Sequence, residues 1–268
     1  MEIWENEKWK TLNNMENPFG TLAFQYGFGL FETVLVQKGG PVDLDEHIQR
    51  LSRSMNQLDS KSFLDMRQLR EKVLFSMDQS EKTTKVLKII AYREEEQWKT
   101  MLLTRGYTYN GRDYEKGFSL KKSACFRNPK SFLVYHKTLN YLENYLERQK
   151  ARQMGYDDAY FVNTAGIITE CSTANIFIVY EDKLITSPVQ EGLLPGIMRM
   201  KLLENVEILG LSAEEIPIQE DMLLKAKMVL ITNALLGVMP VFRVDDTPYS
   251  FDQSLIERVN QVLDRGVR

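Results

Sequence analysis

Cysteine and histidine are nearly missing from this 268-residue chain, with two of each, and the scarcity removes several chemistries at once. Cys125 and Cys171 cannot make a disulfide framework, and neither has the spacing of a metal knuckle; both read as small buried hydrophobes, and no metal site is expected. His47 and His136 have no serine or cysteine beside them at triad spacing, so both are assigned structural roles. No Gly-x-Gly-x-x-Gly follows a strand, which leaves a dinucleotide fold without support. No run approaches the ~18 apolar residues that span a bilayer, and the first ten residues are charged and broken, with no apolar signal region; the expectation is a cytoplasmic protein without a membrane partner. An excess of charge is missing as well: 34 basic against 37 acidic side chains give a formal charge of -3, and no electrostatic reason to expect nucleic acid.

What is present is an ordinary globular composition, 43% hydrophobic and 26% charged, in a chain long enough for one large domain or two modest ones. After a turn-rich start, residues 31–36 have strand character and Gly39-Gly40 supplies a hairpin turn. Asp43 introduces a helix whose apolar face is Leu44, Ile48, Leu51, Met55 and Leu58. A second helix is predicted over 64–77, then strands over 86–92 and 100–104. The polar, glycine-containing stretch 109–117 predicts the domain boundary: a small α/β domain over 1–110, a linker over 111–116 and a larger domain over 117–268. In the larger domain, strands are expected at 118–125, 158–162, 175–180, 183–186, 228–231 and 238–244. Helices are expected from Lys137 to about 154, where Gly155 stops the chain, from Gly196, and over about 251–264. This order predicts an α+β fold with a barrel-like or rolled sheet in the second half.

Four groups of residues carry candidate chemistry. Lys137, read as lying in the first turn of a helix, faces the positive end of the backbone dipole, which disfavours its ammonium form and leaves an amine able to condense with an aldehyde. Alone, it would be a surface lysine. Glu170, among small residues between strand-like runs, can hold a proton on a heterocyclic nitrogen or be an ordinary turn glutamate. Pro195 and Gly196 lead into a helix whose free N–H groups at Gly196, Ile197 and Met198 form an anion seat, or simply start a helix. Arg50, at the edge of the apolar face set by Ile48 and Leu51, can reach a phosphate as a planar fork, although a solvated arginine is the commoner outcome.

Taken together, Lys137-Thr-Leu-Asn with Leu142-Glu, Thr169-Glu-Cys-Ser-Thr-Ala-Asn-Ile-Phe177, Pro195-Gly-Ile-Met-Arg199, Glu46-His-Ile-Gln-Arg-Leu51 and Asn233-Ala-Leu-Leu-Gly-Val-Met-Pro-Val241 resemble the class IV, or fold type IV, pyridoxal-phosphate enzymes. The order and spacing agree from about residue 26 to 241. The resemblance implies a two-domain α+β fold with a small α/β domain and a larger pseudo-barrel domain, pyridoxal 5'-phosphate between the domains, a small anionic substrate and a homodimer. It makes Lys137 the Schiff-base lysine, Glu170 the partner of the pyridinium nitrogen, Arg50 a phosphate ligand and Ile197 and Met198 backbone phosphate donors. Asn233 and Ala234 fall in the loop that closes on the phosphate or substrate carboxylate, and this chain lacks the threonine familiar there in branched-chain aminotransferases. Tyr26, Phe31, Arg93 and Leu235 are the substrate-lining positions implied.

Within the family, the segment 231–241 and Val86-Leu-Lys-Ile-Ile-Ala-Tyr-Arg93 are similar to the 4-amino-4-deoxychorismate lyases, which release pyruvate and leave 4-aminobenzoate, a folate precursor. On that resemblance Arg93 would meet a substrate carboxylate; read locally, it is an edge-strand charge. D-amino-acid and branched-chain aminotransferases of the same fold remain open, and so does a non-catalytic binding protein on the same scaffold.

Overall fold

The computed structural model describes residues 2–5, 8–11, 21–38, 40–61, 63–79, 83–94 and 96–264. The chain divides into two compact units, residues 1–108 with 136–140, and residues 109–135 with 141–268. The architecture is mixed α+β throughout, and no helix among the described residues is long and apolar enough to cross a membrane.

The first unit runs β1 (Glu2–Glu5), β2 (Lys8–Thr11), α1 (Leu22–Tyr26), β3 (Gly29–Gln37), β4 (Gly40–Pro41), α2 (Leu44–Leu58), α3 (Met66–Asp78), β5 (Lys85–Glu94) and β6 (Gln97–Gly106). Its six strands form one antiparallel sheet in the order β2-β1-β6-β5-β3-β4. Leu44, Ile48, Leu51 and Met55 of α2, with Leu69, Val73 and Met77 of α3, pack with Leu30, Val34, Leu87, Ile89, Ala91 and Leu102. Because strand side chains alternate, these residues assign one sheet face to the helices and put Phe31, Thr33, Lys88 and Ile90 on the other. The charged start, read as turn-rich, contains β1 and β2, which alternation of apolar residues does not reveal. Of the expected hairpin glycines, Gly39 lies outside the described residues, while Gly40 pairs with Gln37.

The second unit contains α4 (Gly111–Lys116), β7 (Phe118–Arg127), α5 (Leu142–Gln153), β8 (Asp158–Asn163), β9 (Ile168–Cys171), β10 (Asn175–Tyr180), β11 (Lys183–Thr186), α6 (Ile197–Glu204), β12 (Ser212–Glu215), α7 (Glu220–Lys225), β13 (Met228–Asn233), β14 (Gly237–Val244), β15 (Thr247–Pro248) and α8 (Gln253–Val262). Strands β10, β13, β14, β7, β8 and β9 pair in a ring that closes where Asn175 meets Glu170, with β11 and β12 extending it beyond β10. Side chains such as Ile176, Ile178, Leu230, Val238 and Met239 fill its core.

Two expectations change here. Residues 111–116, expected as a linker, form a helix: Asn110 and Asp113 make a reciprocal capping box that starts α4, and Tyr114 is buried with its hydroxyl donating to the Leu236 carbonyl. The helix expected from Lys137 starts at Leu142 instead, and residues 136–140 group with the first unit. Short β9, β12 and α7 go beyond the sequence expectations, since β9 and β12 mix polar and charged residues among few apolar ones and α7 is a single helical stretch of six residues.

Candidate active site

Lys137 is set by backbone pairing rather than by a helix terminus. Its carbonyl accepts the Phe31 N–H at 2.8 Å, the Leu139 N–H donates to the Gly29 carbonyl at 2.9 Å, and Thr138 bridges Leu30. These bonds hold residues 137–139 extended against β3, so the dipole argument for a helix-borne lysine does not apply. Gly29 is required by this close approach, because a Cβ there would stand 2.5 Å from Leu139 Cδ1 and 2.9 Å from the Ala91 carbonyl oxygen. Held this way, the Lys137 Nζ lies 4.6 Å from the centroid of the Phe31 ring, and the Lys88 Nζ lies 4.3 Å from the same centroid. The structure thus brings Phe31 to Lys137, and adds Lys88.

Arg50 stands on the helix-covered side of the first unit's sheet. Its Nε donates to Glu32 Oε1 at 2.9 Å and its Nη2 to Glu32 Oε2 at 2.6 Å, while His47 Nδ1 lies 2.7 Å from the same Oε2. Burial works to raise the Glu32 carboxyl, but the Arg50 charge, its hydrogen bonds and His47 outweigh it and hold the group down to about 2. Arg93 is not an edge-strand charge, because β5 lies between β3 and β6. It is buried beside Phe28 and Trp98, with Nε 3.4 Å from Asp59, on the alternate face from Lys88 and Phe31. The strand therefore does not bring Arg93 to Lys137. Tyr26, at the end of α1, is exposed.

In the second unit, Glu170 lies on β9 at the closure of the ring rather than in a turn. Its Oε2 accepts the Leu194 N–H at 3.0 Å and its Oε1 lies 3.3 Å from Arg127 Nη2. Arg127 is itself buried, stacked 3.7 Å from the Phe161 centroid and bonded through Nη1 to Glu143 at 2.7 Å. Asn175, paired with Glu170, donates to the Leu194 carbonyl at 2.9 Å. One pair of barrel residues thereby fixes both the carboxylate and the chain entering α6.

Gly196 caps α6 with no side chain, so the N–H groups of Ile197 and Met198 have neither an intrahelical acceptor nor a side-chain cap. A Cβ at Gly196 would collide with Asn175 Oδ1. Thr232 pairs in register with Asn175, and its buried hydroxyl has no hydrogen-bond partner among the described residues. Next to it, Asn233 Oδ1 accepts the Leu235 and Leu236 N–H groups at 2.9 and 2.8 Å while Nδ2 donates to the Thr173 carbonyl, so the loop carrying Ala234 and Leu235 is shaped by one side chain. Tyr141 and Asn144 both donate to the Ser172 carbonyl. Burial, helped by Glu170 and Asp158, raises the Tyr141 hydroxyl and keeps it a donor.

The uncapped N–H groups at the start of α6 are of a kind that can receive an anion, and Glu170 is a carboxylate of a kind that can meet a protonated ring nitrogen. Sequence reasoning missed Arg127, Thr232 and Glu32, none of which sits in a distinctive pattern. Among the described residues, no group of three or more His, Cys, Asp or Glu side chains could hold a metal.

The sequence model of the family described as amino-transferase class IV matches residues 29–244, and the chain belongs to that family. Pyridoxal phosphate is its cofactor, and the uncapped amides of α6 and the Glu170 carboxylate are chemically compatible with a phosphate and a protonated ring nitrogen. The chain is 28% identical to D-alanine aminotransferase of Bacillus licheniformis over 230 residues, covering 83% of this chain and 81% of the relative. It is 26% identical to aminodeoxychorismate lyase of Vibrio harveyi over 242 residues, 84% of this chain and 86% of the relative. The crystal structure of a protein from Legionella pneumophila, titled a putative 4-amino-4-deoxychorismate lyase, superimposes with a TM-score of 0.85 at 24% identity, covering 95% and 96% of the two chains, and shares the fold.

Proposed function

We propose that this protein is a 4-amino-4-deoxychorismate lyase that releases pyruvate and leaves 4-aminobenzoate. The observation that carries the reading is the Lys137 amine, held by backbone pairing over Phe31 in a chain whose relatives include aminodeoxychorismate lyases matched over 81% and 86% of their length. When bound, pyridoxal phosphate supplies an electron-poor ring that accepts the electron pair released at the substrate's amine-bearing carbon. Arg50, the Ile197 and Met198 amides and the loop at Asn233 and Ala234 hold the phosphate in this proposal. Glu170, which accepts the Leu194 N–H and lies against Arg127, holds the proton on the ring nitrogen in this proposal. Lys137 takes the proton from C4 of the substrate. The adjacent C–O bond then breaks, the enolpyruvyl group leaves as enolpyruvate and takes up a proton to become pyruvate, and loss of the C4 proton makes the carbocycle aromatic.

The similarity to D-alanine aminotransferase supports a second reading, an aminotransferase for D-amino or branched-chain amino acids. Ala234 offers no hydroxyl where branched-chain aminotransferases have threonine, which favours the lyase. Incubation of the cofactor-loaded protein with aminodeoxychorismate and no amino acceptor decides between them. Pyruvate and 4-aminobenzoate in equal amounts are expected; conversion of the cofactor to its amine form by an amino acid, with no pyruvate from aminodeoxychorismate, would establish the aminotransferase. Cofactor that fails to attach to the protein would leave the non-catalytic reading. The exposed Leu142, Tyr145 and Leu146, one apolar stripe along α5, support a homodimer as the working unit. Light scattering at twice the chain mass, reduced by Leu146→Glu, is the expected result.

A further inference from the structure

We infer that Asp158 is a positioning residue for the loop over 233–236, which it sets through the turn joining β9 to β10. Its bearing on the cofactor rests on the proposed function, in which Asn233 and Ala234 hold the phosphate. All the residues involved lie in the second unit. Asp158 opens β8 and is 1% exposed, and its carboxylate takes the hydroxyls of two consecutive turn residues. Ser172 Oγ donates to Oδ1, and Thr173 Oγ1 donates to Oδ2 at 3.0 Å. The Ala159 N–H also donates to Oδ1, at 2.8 Å, while the Ser172 N–H donates to the Ala159 carbonyl at 2.8 Å. Strand β8 therefore holds the turn by backbone and side chain together.

With their hydroxyls tied to Asp158, Ser172 and Thr173 present their carbonyls to other elements. The Ser172 carbonyl accepts the Tyr141 hydroxyl at 2.5 Å and Asn144 Nδ2 at 2.8 Å, both from the start of α5. The Thr173 carbonyl accepts Asn233 Nδ2 at 3.1 Å, from the end of β13. That bond fixes which way the Asn233 amide faces, and so presents its Oδ1 to the Leu235 and Leu236 N–H groups at 2.9 and 2.8 Å. A path of hydrogen bonds thus runs from Asp158 through Thr173 and Asn233 to the loop.

Fold stability does not account for a carboxylate at this position. Arg148 Nε stands 4.0 Å from Oδ1, beyond hydrogen-bond distance. Burial pushes the Asp158 carboxyl up, and Arg148, the Ser172 hydroxyl, the Ala159 N–H and the Thr173 hydroxyl pull it back by less, so the ionised form is disfavoured by folding. A neutral side chain of similar size would avoid that penalty. An ionised carboxylate, however, accepts at both oxygens and receives two hydroxyls and an N–H at once, whereas asparagine turns an amide NH2 toward one of them. The charge fits the shaping of the turn.

The test uses the cofactor-loaded protein, its Asp158→Asn, Thr173→Val and Asn233→Ala variants, and the double variant Asp158→Asn with Asn233→Ala. Hydrogen exchange is read at the Leu235 and Leu236 amides, with the amides of β11 as reference. Asp158→Asn and Thr173→Val are each expected to speed exchange at Leu235 and Leu236 ~10-fold and leave β11 unchanged. Fluorescence titration of the cofactor is expected to show ~10-fold weaker binding for Asp158→Asn, and a double variant no weaker than Asn233→Ala, because both substitutions cut one path. Exchange that quickens equally in β11 would make Asp158 a fold residue only, and a loop unchanged in either hydroxyl-path variant, or affinity losses that add, overturns the inference as well. None of these readings depends on whether the protein proves to be a lyase or an aminotransferase. If Asn233→Ala leaves cofactor affinity unchanged, the phosphate assignment of the loop fails separately, and exchange at Leu235 and Leu236 alone decides the role of Asp158.

Discussion

Two buried carboxylates, one in each unit, meet an arginine in opposite ways. Glu32 is 1% exposed and takes three short side-chain bonds, two from Arg50 and one from His47. Glu170 is 8% exposed, held by one backbone N–H at 3.0 Å and a guanidinium at 3.3 Å. The first is a closed ionic cluster that orients Arg50 and joins α2 to β3. The second is anchored in part from the backbone, an arrangement compatible with the proton-holding role proposed for it.

The largest effect expected from this contrast is at Glu170. Glu170→Gln should lower kcat by ~10^3-fold, through loss of an electrostatic partner for the ring proton, while the melting temperature changes little. Stopped-flow turnover and thermal melts check this, and a melting temperature that falls with activity would erase the contrast. Glu32→Gln should do the reverse, destabilising the protein by ~3 kcal/mol because Arg50 and His47 lose their counter-charge, and lowering the melting temperature by several degrees. Chemical denaturation of the two variants side by side measures the difference.

A pH series sharpens the same point. The folded Glu32 carboxyl lies near 2, below its ordinary value of 4.5. Its contribution to stability is therefore complete above the ordinary value and is lost as pH falls from there toward 2. Wild type should show this loss in acid and Glu32→Gln should not; parallel curves would show that Arg50 does not depend on Glu32. Next in size, Gly196→Ala should weaken cofactor binding ~10-fold, since the added Cβ displaces Asn175 and with it the start of α6; fluorescence titration of the cofactor reports it. The smallest effect is expected for Arg127→Gln, a few-fold loss of kcat with a shift in the pH dependence of the bound cofactor's absorbance, because the Leu194 N–H still holds Glu170. A kcat equal to that of Glu170→Gln would mean that the arginine, not the backbone, is the anchor.

Helix α2 shows how much of the fold was legible. Its apolar residues at three- and four-residue spacing predict the helix and its buried face, and Leu44, Ile48, Leu51 and Met55 occupy that face. Strands β3, β5 and β10 are also legible, as short apolar runs rich in β-branched and aromatic residues. The Lys137 segment was not. Its sequence runs smoothly into α5, and only pairing with Gly29 and Phe31, more than a hundred residues earlier, keeps it extended.

Taken alone, the amino-acid sequence determined the elements with strong periodicity, the family and the residues named by its motifs, because these depend on local order along the chain. Tertiary structure decided which of those side chains share a face or an ion. Strand alternation puts Lys88 with Lys137 and sends Arg93 to the opposite side, and barrel closure sets Glu170 beside Asn175. Such assignments depend on register between distant strands, where a slip of one residue reverses every side chain, and no short motif encodes that register.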